Sequence, residues 1–166
     1  MSDSWRLRVR KVVGLAPRDG EVLPSQFVVL DELAGDRHLV IQIGQAEAFA
    51  LAASLGETEW PRPMTYQFVA ELVRSLGGRI REVRLDALVE GSYAATVEAE
   101  GPQGVTLIDA RASDALNLAL RVGAPIVVGL EVLEDCARRT QGDGPEAVLL
   151  QRAMTSCPMT IKSMDL

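Results

Sequence analysis

Histidine occurs once in this 166-residue chain, at position 38, and cysteine only twice, at positions 136 and 157. A lone imidazole excludes zinc motifs and acid–base mechanisms that need two histidines. The two cysteines come late in the chain without metal-type spacing, so a reduced pair fits better than a disulfide. No apolar run is long enough for a membrane span. The opening MSDSWRLRVRKV alternates charged and apolar residues where a signal peptide needs a continuous apolar stretch, which predicts a cytoplasmic protein. The chain also lacks a Walker loop, a dinucleotide-binding glycine fingerprint, a GxSxG elbow and a zinc ribbon. Several large enzyme classes lose their main support at this point.

What is present is ordinary for a folded domain: 48% hydrophobic and 24% charged residues, unlike a disordered chain. A chain of this length buries about two thirds of its unfolded surface, so one domain with a real core is expected. The net charge of −6 repels polyanions unless basic groups cluster or a divalent ion intervenes. Clusters exist at Arg6, Arg8, Arg10 and Lys11, and at Arg74, Arg79, Arg81 and Arg84. Each reads either as a solvated face or as a nucleic-acid contact.

Trp5, Leu7 and Val9 alternate with the first arginines, the period of a strand with one buried face. Phe27 to Leu33 and His38 to Ile43 read as a hairpin around AGDR, with Leu39, Ile41 and Ile43 on the core side and His38, Val40 and Gln42 on the other. Gly44 to Leu55 follows as a nearly all-apolar helix, either central or at an interface. Thr65 is placed to cap a second helix, whose stripe is Phe68, Val69, Leu72, Val73 and Leu76 before Gly77 and Gly78 stop it. Arg79 to Leu88, Tyr93 to Glu100 and Val105 to Asp109 predict an antiparallel meander. A third helix then runs to Val122, followed by a short strand from Pro125 to Gly129 and a helix from Glu131 to Arg139. From Thr140 the pattern loses its period, so residues 1–139 read as the domain and 140–166 as a loosely ordered tail. The fold class is α+β: a mixed, largely antiparallel sheet, with a hairpin and a meander packed against three main helices.

The densest chemistry lies in IDARASDALNLALRVGAP, where Asp109, Arg111, Ser113 and Asp114 sit between an apolar strand and an apolar helix. Ser113 or Asp114 capping that helix, with Arg111 neutralising a neighbour, is one reading; a functional cluster is the other. Glu47, the lone acid in the first turn of the apolar helix, requires a cation such as Arg62 or Arg111. His38, beside a tight turn, is a reserve acid–base candidate.

Three segments, GDRHLVIQIGQAEAFALA, RPMTYQFVAELVRSLGG and DARASDALNLALRVGAPI, occur in the order and spacing of the bifunctional nuclease (DNase/RNase) domain family, which the chain resembles from about Leu7 to Glu134. The resemblance implies an α+β nuclease of the bacterial cytoplasm, forming a homodimer and acting on DNA and RNA. The family pattern has histidine and an acidic residue where this chain has Tyr66 and Gln67, and proline where it has Ala112. For such a nuclease, Asp109 and Asp114 would hold Mg2+ or Mn2+, with or without Glu47, and activate a water. Arg62 and Arg111 would hold phosphate oxygens, and Thr65 and Ser113 would present helix N-termini to phosphate. The alternative is a non-catalytic dimeric binding or regulatory module on the same scaffold.

Overall fold

The computed structural model describes residues 4–17 and 24–160. Its elements are β1 (Ser4–Leu15), β2 (Ser25–Glu32), β3 (His38–Ile43), α1 (Gln45–Leu55), α2 (Thr65–Ser75), β4 (Arg79–Val89), β5 (Ser92–Gly101), β6 (Gly104–Arg111), α3 (Ala112–Val122), β7 (Ile126–Gly129), α4 (Leu130–Thr140) and α5 (Pro145–Thr155). The strands form one sheet in the order β3-β2-β1-β7-β4-β5-β6. Only β4 and β7 run parallel; the other neighbours are antiparallel. This is the expected α+β class, with the hairpin at β2–β3 and the meander at β4–β5–β6. The short strand β7 joins the halves, because the chain returns through α3 to slot it between β1 and β4.

One face of the sheet carries the main core. Leu7, Val9, Val28, Leu30, Leu39 and Ile41 meet Ala48 and Leu51 of α1 and Ala115, Leu116 and Ala119 of α3. The alternation in β1 sorts apolar side chains to this face and arginines to the other. Ala48, Leu51, Ala52 and Ala53 are buried within the single chain, so α1 is a central helix.

The opposite face holds a second core that the alternation alone does not reveal. Val13, Leu15, Phe27, Val29 and Val40 are covered by Leu150 and Ala153 of α5. Val40, expected to face away from the core, is therefore buried too. Instead of a loose tail throughout 140–166, the chain forms α5 across its middle; the last residues, 161–166, lie outside the described residues. Ala147, Leu150 and Ala153 make a narrow stripe of mostly small residues that reads weakly in sequence yet closes tightly on the sheet. Lys11 fastens the helix, donating from Nζ to the carbonyls of Met154 at 2.7 Å and Ser156 at 2.5 Å. A cation there complements the negative end of α5.

Two further expectations change. Both α2 and β6 are less covered than their apolar patterns suggest. No residue of α2 is fully buried, and Phe68, Leu72 and Leu76 are 58%, 47% and 70% exposed. β6 is one of the two edge strands of the sheet, with Leu107 and Ile108 exposed, so the strand side of the junction into α3 is open while Ala112, Ala115 and Leu116 on the helix side are buried.

Candidate functional site

Three helix starts meet at one end of the main core. Glu47 lies in the first turn of α1, Tyr66 in the first turn of α2, and Asp114 in the first turn of α3, with Arg111 at the end of β6 as the residue preceding α3. Carboxylates there gain from the positive ends of α1 and α3. The Arg111 guanidinium joins them: Nε donates to Asp114 Oδ2 at 2.7 Å, and one terminal nitrogen donates to Asp114 Oδ1 at 3.0 Å and Glu47 Oε1 at 2.8 Å. Tyr66 donates its hydroxyl to Asp114 Oδ1 at 2.6 Å.

Burial alone would raise the Asp114 pKa, but hydrogen bonds from Arg111 and Tyr66 outweigh it and hold the carboxyl below its ordinary range. Burial and the bond to Asp114 push the Tyr66 hydroxyl well above its usual value, so it remains a proton donor. The Arg111 pKa is raised by its bonds to Asp114 and Glu47. The group is thus an arginine shared by two carboxylates, one of which also holds a tyrosine.

Behind it opens a cleft of about 1080 Å³ between α1, α2 and the β4–β5–β6 face. Its wall is apolar, with Phe49, Val69, Val73, Val97, Ile108 and Leu118 among its residues, while Glu47, Tyr66, Arg111 and Asp114 line it on the polar side. The cluster's formal charge is −1, from one arginine and two carboxylates.

The sequence-derived candidates divide on this geometry. Glu47, Arg111 and Asp114 come together, with Thr65 on the cleft lining. Thr65 is the first residue of α2 after Met64 and makes no capping bond; neither Ser113 nor Asp114 caps α3, which Arg111 precedes. Asp114 is the third residue of α3, inside the helix, and its carboxylate accepts from Arg111 and Tyr66. Arg62 is exposed and is not among the cleft-lining residues. Asp109 is also exposed; since Ile108 and Ala110 line the cleft, strand alternation sets Asp109 on the opposite face. His38 is remote, its Nδ1 2.9 Å from Asp31 Oδ1.

Mg2+ or Mn2+ is held through one or two carboxylates that share a face, with waters and substrate oxygens completing the shell. Asp109 and Asp114 lie on different faces, Glu47 and Asp114 turn oxygens to Arg111, and no three His, Cys, Asp or Glu side chains among the described residues converge. The expected Asp109–Asp114 pair does not fit a divalent ion, and the place between Glu47 and Asp114 is taken by the Arg111 guanidinium.

Asn117 belongs to the site without having been singled out by sequence. Completely buried on α3, its amide donates to the carbonyls of Glu47 at 3.1 Å and Ser113 at 2.9 Å, while its Oδ1 has no partner. The available signal was a single amide within the apolar run ALNLAL. Tyr66 was visible only as a departure from the family pattern, and its partner became clear only in three dimensions.

The profile of the bifunctional nuclease domain matches residues 28–141. An uncharacterised protein of Mycobacterium tuberculosis is 39% identical over 123 residues, covering 74% of this chain and 72% of that protein. Bifunctional nuclease 1 of Oryza sativa subsp. japonica is 30% identical over 113 residues, 66% of this chain and 34% of the plant protein. Bifunctional nuclease 1 of Arabidopsis thaliana is 28% identical over 122 residues, 67% and 38% of the two chains. The chain belongs to the bifunctional nuclease domain family.

Proposed function

We propose that this family member hydrolyses phosphodiester bonds of DNA or RNA at the Arg111 cluster. The observation that carries the reading is the convergence of Glu47, Tyr66, Arg111 and Asp114, from three separated segments, at one cleft. Arg111 is 64% exposed at its side chain, and a guanidinium has five N–H donors, more than the two carboxylates consume. The remaining donors hold a phosphate oxygen and stabilise charge as the phosphorus is attacked. Glu47 takes a proton from the attacking water as the water oxygen bonds to phosphorus. The P–O bond to the leaving sugar oxygen breaks, and that oxygen takes up a proton from solvent. Asp114 fixes the plane of Arg111, and Tyr66 stays protonated against Asp114. The chain acts in the cytoplasm as a homodimer.

A non-catalytic binding module is the second reading, favoured by the neutralisation of the Arg111 charge by two carboxylates and by the apolar wall of the cleft. One experiment separates them: turnover of labelled single-stranded DNA and RNA with magnesium, with manganese and in excess chelator, for the native chain, Arg111→Gln and Glu47→Gln. Turnover lost in both variants, with folding retained, supports hydrolysis at this cluster. No turnover under any condition supports the binding module.

A further inference from the structure

We infer that the outward face of β1 is a docking strip for the sugar–phosphate backbone of nucleic acid, separate from the Arg111 cleft. This rests on the reading that the chain acts on nucleic acid. Arg6, Arg8 and Arg10 are all exposed, alternating with buried Leu7 and Val9. At about 3.3 Å rise per residue, the Cα atoms of Arg6 and Arg8 stand roughly 6.6 Å apart along the strand, and Arg10 follows at an irregularity of the β1–β2 register between Val9 and Lys11. The sheet register sets Arg8 opposite Asp31, and Asp31 opposite His38 on the next strand.

Asp31 is the acid paired with this row among the described residues, and three cationic or protonatable groups share it. His38 lies at 2.9 Å, Arg10 at 3.4 Å and Arg8 at 3.9 Å. One carboxylate therefore faces two arginines and an imidazole, and no acid is paired with Arg6 among the described residues.

The balance differs elsewhere. On the β4–β5 surface, Arg79 pairs with Glu100, Arg81 with Glu98 and Arg84 with Asp86. At the cleft the carboxylates outnumber the arginine. In a chain of net charge −6, the β1 row is, among the described residues, a place where arginines outnumber the acid they pair with. A polyanion is attracted there and weakly repelled at the cleft mouth. The two surfaces lie on opposite faces of the sheet, since Leu7 and Val9 belong to the main core beneath α1 and α3. The strip holds the polymer by charge, independently of bond cleavage.

The test uses the full chain in excess chelator with fluorescently labelled single-stranded RNA and DNA, read by anisotropy across a salt series. The strip variant Arg6→Gln/Arg8→Gln/Arg10→Gln is compared with Arg79→Gln/Arg81→Gln/Arg84→Gln, and both are checked by thermal melting. The strip variant is expected to bind at least about tenfold more weakly, with a salt slope shallower by about two. The second variant frees three acids and loses affinity only through the long-range repulsion they add, which salt screens, so its loss stays below about threefold. Equal affinity and slope for the strip variant and native chain would overturn the proposal, as would equal loss in both variants. Tighter binding of the native chain to phosphatidylglycerol vesicles than to either nucleic acid would also overturn it in favour of a membrane surface. Persistent turnover alongside unchanged strip-variant binding would sink the strip alone; native binding without turnover would sink only the hydrolytic reading.

Discussion

The buried Asn117 side chain donates to the backbone carbonyl of Glu47, 3.1 Å away, tying the first turn of α1 to α3 at the base of the Arg111 cluster. This bond runs between helices 70 residues apart in sequence. It is accompanied by an Asn117 Oδ1 that is buried without a partner. An apolar side chain of similar size would avoid that unsatisfied oxygen.

Asn117→Leu is expected to change folding stability by no more than about 1 kcal/mol, because lost bonds are offset by the removed polar oxygen. Its effect should appear at the site, as lower turnover with a nearly unchanged melting temperature. An Arg111 Nε–H resonance and turnover both matching the native protein would show that the amide does not position Glu47.

The Tyr66–Asp114 bond predicts a pH dependence with a definite sign. Asp114 has a folded-state pKa below its ordinary value of 3.8, so its contribution to stability is present above that value and is lost as pH falls through the folded pKa. Tyr66 has a folded-state pKa above its ordinary 10.0, so its contribution is present below that value and declines as pH rises towards the folded pKa. Tyr66→Phe should move the Asp114 pKa upward, measured by carboxyl carbon NMR. An unchanged pKa would mean the hydrogen bond is not holding the carboxylate.

The apolar stripe Phe68, Leu72 and Leu76 faces outward from α2. Because α1 is covered within its own chain, this stripe and the open β6 edge are the surfaces a second copy would cover. Leu72→Glu is expected to shift a dimer to monomer in analytical ultracentrifugation while leaving the melting transition cooperative. A native chain that sediments as a monomer at tens of micromolar would refute the association.

Leu150, 4% exposed on α5, fills the second core against Phe27 and Val40. Leu150→Ala should destabilise the protein by about 2–4 kcal/mol, measured by urea unfolding, as large-to-small changes in a packed core do. A loss below about 0.5 kcal/mol would indicate that α5 contributes little to the folded state.

The local pattern was sufficient for most elements. Alternation in β1 and the hairpin, the apolar spacing of α3 with Gly123 after it, and the turns of the meander are short-range properties, and each segment carries its own signal. Charged residues set in apolar surroundings likewise marked Glu47, Arg111 and Asp114 as candidates. Residue type and spacing cannot say which acid faces which cation, because that depends on the phase of each helix against the sheet. Tertiary structure put Asp109 on the far face, left Arg62 outside the cleft lining, and brought in Tyr66 and Asn117. It also converted much of the aperiodic C-terminal segment into α5, whose weak stripe is decisive only when Val13, Phe27 and Val40 stand opposite. Sequence determined the elements and the chemical groups they carry; long-range packing decided which groups share charge, since burial and hydrogen-bond geometry exist only after the strands are ordered.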